Sequence, residues 1–192
     1  MRLDKAALSK VTRAFKPTRY ARLCPVAHRA TPLGTGPSMA RFSSEKGNFY
    51  TLYAARSLAT AIAETVIRDR FEGGGARLLF TSELDAFCVA SMSATAPLQL
   101  LDLRTDGCFQ LGVSTDIASA KGWGEARALA QYIHDETTLD GFLYRSRLTA
   151  ENCVAIFNRS IPGVLIAGEA SDLATMPQLR AALTELNTEL LL

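Results

Sequence analysis

An arginine, a tyrosine and a carboxylate stand near one another in the first third of the chain. Arg41 precedes an aromatic, Phe42; Tyr53 lies in the run Phe49-Tyr50-Thr51-Leu52-Tyr53-Ala54-Ala55; Glu64 interrupts the apolar helical stretch after Ser57. A strand ending in an aromatic, a capping serine and a helix that carries an acid among alanine and isoleucine would bring the three groups to one pocket. A guanidinium matches phosphate oxygens, a phenol can stack on an aromatic ring, and a carboxylate can hold a sugar hydroxyl. Those are the parts of a dinucleotide such as NAD.

Glu64 is open to two readings. On a helical wheel Leu58, Ile62 and Val66 share one arc, whereas Glu64 lies beside Thr60, Ala61 and Arg68. It is then either a surface carboxylate paired with Arg68 at i,i+4, or an acid that the small neighbours Ala61 and Ala63 leave accessible to a ligand. In the second case it could orient a ribose hydroxyl and stabilise the oxocarbenium-like charge that develops as a glycosidic C–N bond breaks. Nicotinamide leaves as a neutral molecule, so a single carboxylate suffices. Arg22 and Arg41, at the edges of a long loop, are candidates for gripping a pyrophosphate, or else are solvated surface charges. Tyr53 would contact the ring or serve the core. Ser146, where a strand meets a loop, would bond the substrate amide, fix Glu64, or simply cap a turn.

Competing chemistries have weaker sequence support. Gly34-Thr35-Gly36 and Gly73-Gly74-Gly75 are not in a GxGxxG frame between strand and helix, and no GxxxxGK[ST] occurs. NAD would therefore be a substrate, with no separate cofactor. His134, Asp135 and Ser146 invite a serine-hydrolase reading, but Ser146 lacks the GxSxG elbow. Cys24 and His28 could pair as thiol and base. The four cysteines are irregularly spaced without a CxxC pair, which disfavours a zinc site.

The elements that must position these groups follow from periodicity. Residues 3–15 carry a stripe of Leu3, Ala7, Val11 and Phe15, predicting an N-terminal helix ended by Pro17. Residues 19–23 read as a strand and 25–47 as a long loop, a kind of segment that is usually functional. Residues 48–54 predict a strand, Ser57 an N-cap, and 58–71 a helix stopped by the glycines at 73–75. Three β-prone segments follow, 77–84, 86–92 and 98–103, the first two spaced as a hairpin. Residues 107–120 read as loop or short helix, 123–136 as a helix, and 142–145, 153–157 and 164–167 as strands. Pro177 opens a last helix to 190, striped by Leu179, Leu183, Leu186 and Leu190. That stripe could serve the core or a partner, including a second copy of the chain. The pattern is a single α/β (α+β) domain over 1–192 with a mixed, mainly antiparallel sheet.

The composition excludes several classes. The chain has 192 residues, 48% of them hydrophobic, and a net charge of +2, so it has core-forming capacity and no global footprint for nucleic acid. No stretch has the length of a membrane span or a signal-peptide core, and the thiols suit a reducing compartment, so a cytoplasmic protein is expected.

The sequence resembles the RES-domain family, the toxins of bacterial toxin–antitoxin pairs. The matching residues are Tyr20-Ala21-Arg22, Met39-Ala40-Arg41-Phe42, Leu52-Tyr53-Ala54-Ala55-Arg56-Ser57 leading to Ala61-Ile62-Ala63-Glu64, and Asp140-Gly141-Phe142-Leu143-Tyr144-Arg145-Ser146, spanning about 19–169. The resemblance implies an ADP-ribosyltransferase-like fold. It also implies NAD depletion by hydrolysis, phosphorolysis or ADP-ribose transfer, and a cognate antitoxin, often a helix-turn-helix protein, that blocks the pocket. Carried onto this chain, Arg22 and Arg41 would bind the dinucleotide, Tyr53 the nicotinamide, Glu64 would be the catalytic acid and Ser146 would support it. Two positions depart: Ala40 stands for the family glycine and Ser43 for a common asparagine. They raise the alternative of an NAD-binding or interaction module with reduced turnover.

Overall fold

The computed structural model describes residues 2–68, 70–72, 74–119 (without the Ser119 side chain) and 121–191; Gly73 of the expected glycine stop and Ala120 lie outside the described residues. In chain order the elements are α1 (Lys5–Val11), β1 (Thr12–Phe15), β2 (Tyr20–Pro25), β3 (Thr51–Ala55) and α2 (Leu58–Ile62), which continues as a π-helical turn over Ala63–Ile67. Next come β4 (Leu78–Phe80), α3 (Thr81–Leu84), β5 (Phe87–Ala94), β6 (Leu98–Asp102), α4 (Gly107–Gln110), α5 (Asp116–Ser119) and α6 (Gly124–Glu136). The chain closes with β7 (Gly141–Arg145), β8 (Asn152–Phe157), β9 (Leu165–Ala167), β10 (Ser171–Asp172), α7 (Leu179–Glu185) and β11 (Glu189–Leu191).

The main sheet runs β1-β6-β7-β8-β3-β2-β5-β10, with β9 also on β5. Only β6 and β7 are parallel in it, joined through α4, α5 and α6, as a parallel pair requires a long crossover. The mixed, mainly antiparallel sheet in a single domain agrees with the sequence reading. Alternation along the strands feeds two cores. Leu52 and Ala54 join Tyr20, Met92, Leu100 and Val154 on one face, whereas Ala55, Leu101 and Phe142 meet the helices on the other. Met92 of β5 and Leu100 of β6 share a cluster although four strands separate them in the sheet order, so the sheet curls on itself. Gly141 is the one position where that pairing demands glycine: a Cβ there would lie 2.0 Å from the Ala155 carbonyl oxygen.

Four expectations are corrected. The N-terminal helix ends at Val11, because Phe15 belongs to a strand paired with β6 and packs edge-on against Tyr20 in the second core. The hairpin of 77–84 with 86–92 does not form. Glu83 accepts a 2.8 Å bond from the Phe80 backbone N–H and starts a helical turn, and β4 pairs in parallel with β11 in a separate two-stranded sheet. The last helix stops at Glu185 because Asn187 takes a left-handed φ of 49°, a common helix terminator, and Leu190 passes into β11. Leu179, Leu183 and Leu186 are buried in the main core. The helix from 58 ends at Ile67, closed by Arg68 at φ 45°.

Candidate active site

The long loop between β2 and β3 contains only a 3-10 turn, Val26–His28, and is held by side chains rather than by a ladder. Phe42 is its anchor. Its ring is fully buried, stacks on Phe142 at 4.4 Å and meets Tyr144 edge-on at 5.2 Å, while its carbonyl accepts a bond from Thr51. Burying such a ring is worth ~1.5–3 kcal/mol, which fixes the adjacent Arg41. Buried Gln131 of α6 holds the next part of the loop, accepting from the Ser44 hydroxyl and from the Glu45 and Lys46 N–H groups. Ala40 has no left-handed φ, and Ser43 donates its hydroxyl to the Ala40 carbonyl at 2.8 Å. The two departures from the family pattern therefore fit a regular turn.

On the opposite wall, Ser57 caps α2 through the Thr60 N–H, as its position before the apolar run predicts. The helix then widens: the Arg68 N–H reaches back to the Ala63 carbonyl at 2.7 Å, a five-residue step. Such π turns often mark functional positions. Glu64 lies in this turn and accepts a 2.6 Å bond from the Ser146 hydroxyl. Ser146 is 3% exposed, and its oxygen also receives the Leu148 and Thr149 N–H groups, so its hydroxyl proton is committed to Glu64.

A cavity of about 440 Å³ lies between the loop and the π turn, within the ~300–1,000 Å³ of small-molecule sites. Arg22, Arg41, Tyr53 and Glu64 all line it, and Ser146 stands behind Glu64. The structure thus brings the five candidate residues together. Arg41 donates to the Ile117 carbonyl at 3.1 Å, and Arg22 donates to the carbonyls of Tyr53 and Gly34. Burial draws both guanidinium groups below their usual pKa; Tyr144 and Glu64 oppose this at Arg41. Neither arginine makes an ion pair among the described residues. The buried Arg22 Nε and the Tyr53 hydroxyl also lack a hydrogen-bond partner among them. Burial pushes the Tyr53 phenol up to about 12; the Phe42 backbone and the Thr51 side chain stand close enough to oppose this, but outside hydrogen-bonding geometry with the hydroxyl. Unpartnered buried donors are costly, and here they line the same space as the anchored carboxylate.

The pairing of Glu64 with Arg68 does not occur: Arg68 lies over the Trp123 ring at 5.1 Å. Nor is a triad formed. The His134 ring stacks on Phe49 at 4.2 Å, and Ser146 is engaged by Glu64. Cys24 is buried with its sulfur 3.2 Å from that of Cys88, and His28 is exposed on the 3-10 turn. Of the small residues near Glu64, Ala61 and Ala63 are both buried in the main core, and Ala61 also borders a side cavity of about 40 Å³. Arg68, Trp123, Tyr144 and Arg147 also line the main cavity and were not among the candidates. In the sequence Arg68 offers itself only as one possible ion-pair partner of Glu64, Tyr144 lies inside the apolar run 141–145, and Trp123 gives no periodic signal.

The RES domain model matches residues 10–176. The chain belongs to the RES domain family. Over 99 residues, 50% of the chain and 77% of the relative, it is 36% identical to a protein of Sinorhizobium fredii (strain NBRC 101917 / NGR234) described as "Probable toxin y4kH". It also superposes on a chain of the M. tuberculosis MbcT–MbcA toxin–antitoxin complex with a TM-score of 0.64 at 17% identity, covering 93% of this chain and 98% of that one. That likeness is one of fold. Among the described residues, no helix is long and apolar enough to cross a membrane.

Proposed function

We propose that the protein is an NAD-consuming toxin that cleaves the bond between nicotinamide and ribose and is restrained by a cognate antitoxin. The observation that carries this reading is the Glu64 carboxylate, fixed by a buried serine and facing a cavity whose other walls hold two unpaired arginines and an unpartnered phenol. The toxin descriptions of the relatives agree with it.

Arg41 and Arg22 bind the pyrophosphate, contributing charge and paired N–H donors. Tyr53 contacts the nicotinamide. As the C1′–N bond breaks, its electron pair passes to the pyridinium nitrogen and nicotinamide leaves neutral. The positive charge left on the ribose is stabilised by Glu64, which Ser146 holds in place. Water, phosphate or a macromolecule then takes the ADP-ribose. No cofactor is needed, and the partner is an antitoxin, expected to be a helix-turn-helix protein, acting in the cytoplasm where NAD is available.

The test is nicotinamide release from NAD by the purified protein, together with NAD content in cells expressing it with and without its antitoxin. Glu64→Gln should lower turnover by about 10²–10³-fold and Arg41→Ala should raise KM, both with unchanged circular dichroism. Wild-type turnover in both variants would reject the assignment.

A further inference from the structure

The main cavity and the 40 Å³ side cavity meet at Glu64 and Tyr53, which line both. On the inner side the walls are Ala54, Ala55, Ala61 and Cys153, small and largely buried. On the outer side they are different in kind. Arg68 and Arg147 are exposed, Met39 is 68% exposed, and Trp123 is half-buried. The site therefore has a narrow end walled mostly by small residues, with Arg22 shared between the two spaces, and a wide mouth carrying further cations and an indole, with the carboxylate at the junction.

Two features single out the pair in the mouth. The Arg68 guanidinium is held over the indole, 5.1 Å from the ring centroid, so a cation and an aromatic ring stand together at the opening. Arg68 also takes φ 45° and ψ −119°, a conformation that non-glycine residues rarely adopt and that persists where the surroundings impose it.

We infer that the Arg68–Trp123 pair is the subsite for the adenylate half of NAD. This rests on the reading of Glu64 given above. With the scissile bond at Glu64, the nicotinamide ring takes the narrow side and the rest of the dinucleotide must leave through the mouth. There the Arg68 fork meets a phosphate, and the purine stacks on the platform of guanidinium and indole, since purines stack readily on both. The pair then sets the preference for a dinucleotide over a mononucleotide.

The experiment compares nicotinamide release from NAD and from nicotinamide mononucleotide, which lacks the adenylate. Trp123→Ala and Arg68→Ala should each lower the NAD-over-mononucleotide ratio of kcat/KM by about tenfold, through KM for NAD, and Trp123→Phe should restore most of it. Trp123 is the only tryptophan in the chain, so binding is also visible without turnover. AMP added to the wild type should change the indole emission saturably, and Arg68→Ala should weaken that titration. An unchanged ratio in both alanine variants, or an emission indifferent to AMP, overturns the subsite. If the wild type releases nicotinamide from neither compound, the NAD reading fails, and the AMP titration decides the subsite alone.

Discussion

Replacing Ser146 with alanine tests whether Glu64 acts as a positioned carboxylate. The hydroxyl gives its one proton to Glu64 at 2.6 Å from a site only 3% exposed, so no water takes its place freely. A hydrogen bond to a charged group contributes ~1.5–3 kcal/mol. If that energy is used to hold the carboxylate against the ribose, Ser146→Ala lowers kcat by roughly 10- to 150-fold. Substrate affinity, which depends on the arginines, should change far less. The same oxygen accepts the Leu148 and Thr149 N–H groups, so folding stability should fall as well, by ~1–2 kcal/mol. The assay is steady-state nicotinamide release for wild type, Ser146→Ala, Glu64→Gln and the double variant, with urea unfolding of each and Ser146→Thr as the variant that keeps the hydroxyl. A residue acting through Glu64 cannot matter once Glu64 is neutral. The double variant should therefore match Glu64→Gln, a coupling of ~1.5–3 kcal/mol. Losses that multiply would refute the reasoning, because Ser146 would then have a role independent of the carboxylate.

Tyr53→Phe removes a buried hydroxyl with no partner among the described residues, so thermal unfolding should stay level or rise by ~2–4 °C while KM for NAD rises about tenfold; a marked loss of stability would mean that the hydroxyl is satisfied. Gln131→Leu leaves Ser44, the Glu45 and Lys46 N–H groups and Asn48 without their buried partner, so it should cost ~3 kcal/mol in denaturant unfolding and raise KM through the Arg41 loop. Wild-type stability there would show that the loop is held elsewhere. Burial, reinforced by the Cys88 contact, raises the Cys24 thiol to about 11, and burial raises Tyr53 to about 12. Both groups stay protonated longer in the folded state than in the unfolded chain. Their contribution is complete below pH ~9 and is lost as pH rises through 9 to 12, by up to ~1.4 kcal/mol per pH unit for each group. Stability level across that range, by urea unfolding, would contradict it.

Elements with a local cause were legible in the chain. Ser57 before an apolar run made an N-cap, Ala126, Leu129, Ala130 and Ile133 made α6, and the run 48–54 with Phe49, Tyr50, Leu52 and Tyr53 announced the strand that forms as β3 (Thr51–Ala55). The motif residues Arg22, Arg41, Tyr53, Glu64 and Ser146 stood out by type and order, because chemistry depends on side chains that a sequence displays directly. What depended on distant partners was not legible. Residues 77–84 hold both a strand and a helix former, and only β11, more than 100 residues on, draws Leu78–Phe80 into a parallel pair. Phe15 continues a helical stripe, yet burial against Tyr20 outweighs the weak preference of one more turn.

At the site itself the sequence determined which groups are present and that an acid interrupts an apolar helix. The tertiary structure decided that this acid faces a serine 82 residues away rather than the arginine one turn on, and that Arg68 lies on Trp123 instead. The reason is the π turn. One extra residue in a helical turn shifts the phase of every side chain after it, and nothing in a 3.6-residue wheel announces that shift. The cavity arises in the same way, from a loop pinned by Phe42 and Gln131 against strands and a helix that the chain order keeps far apart.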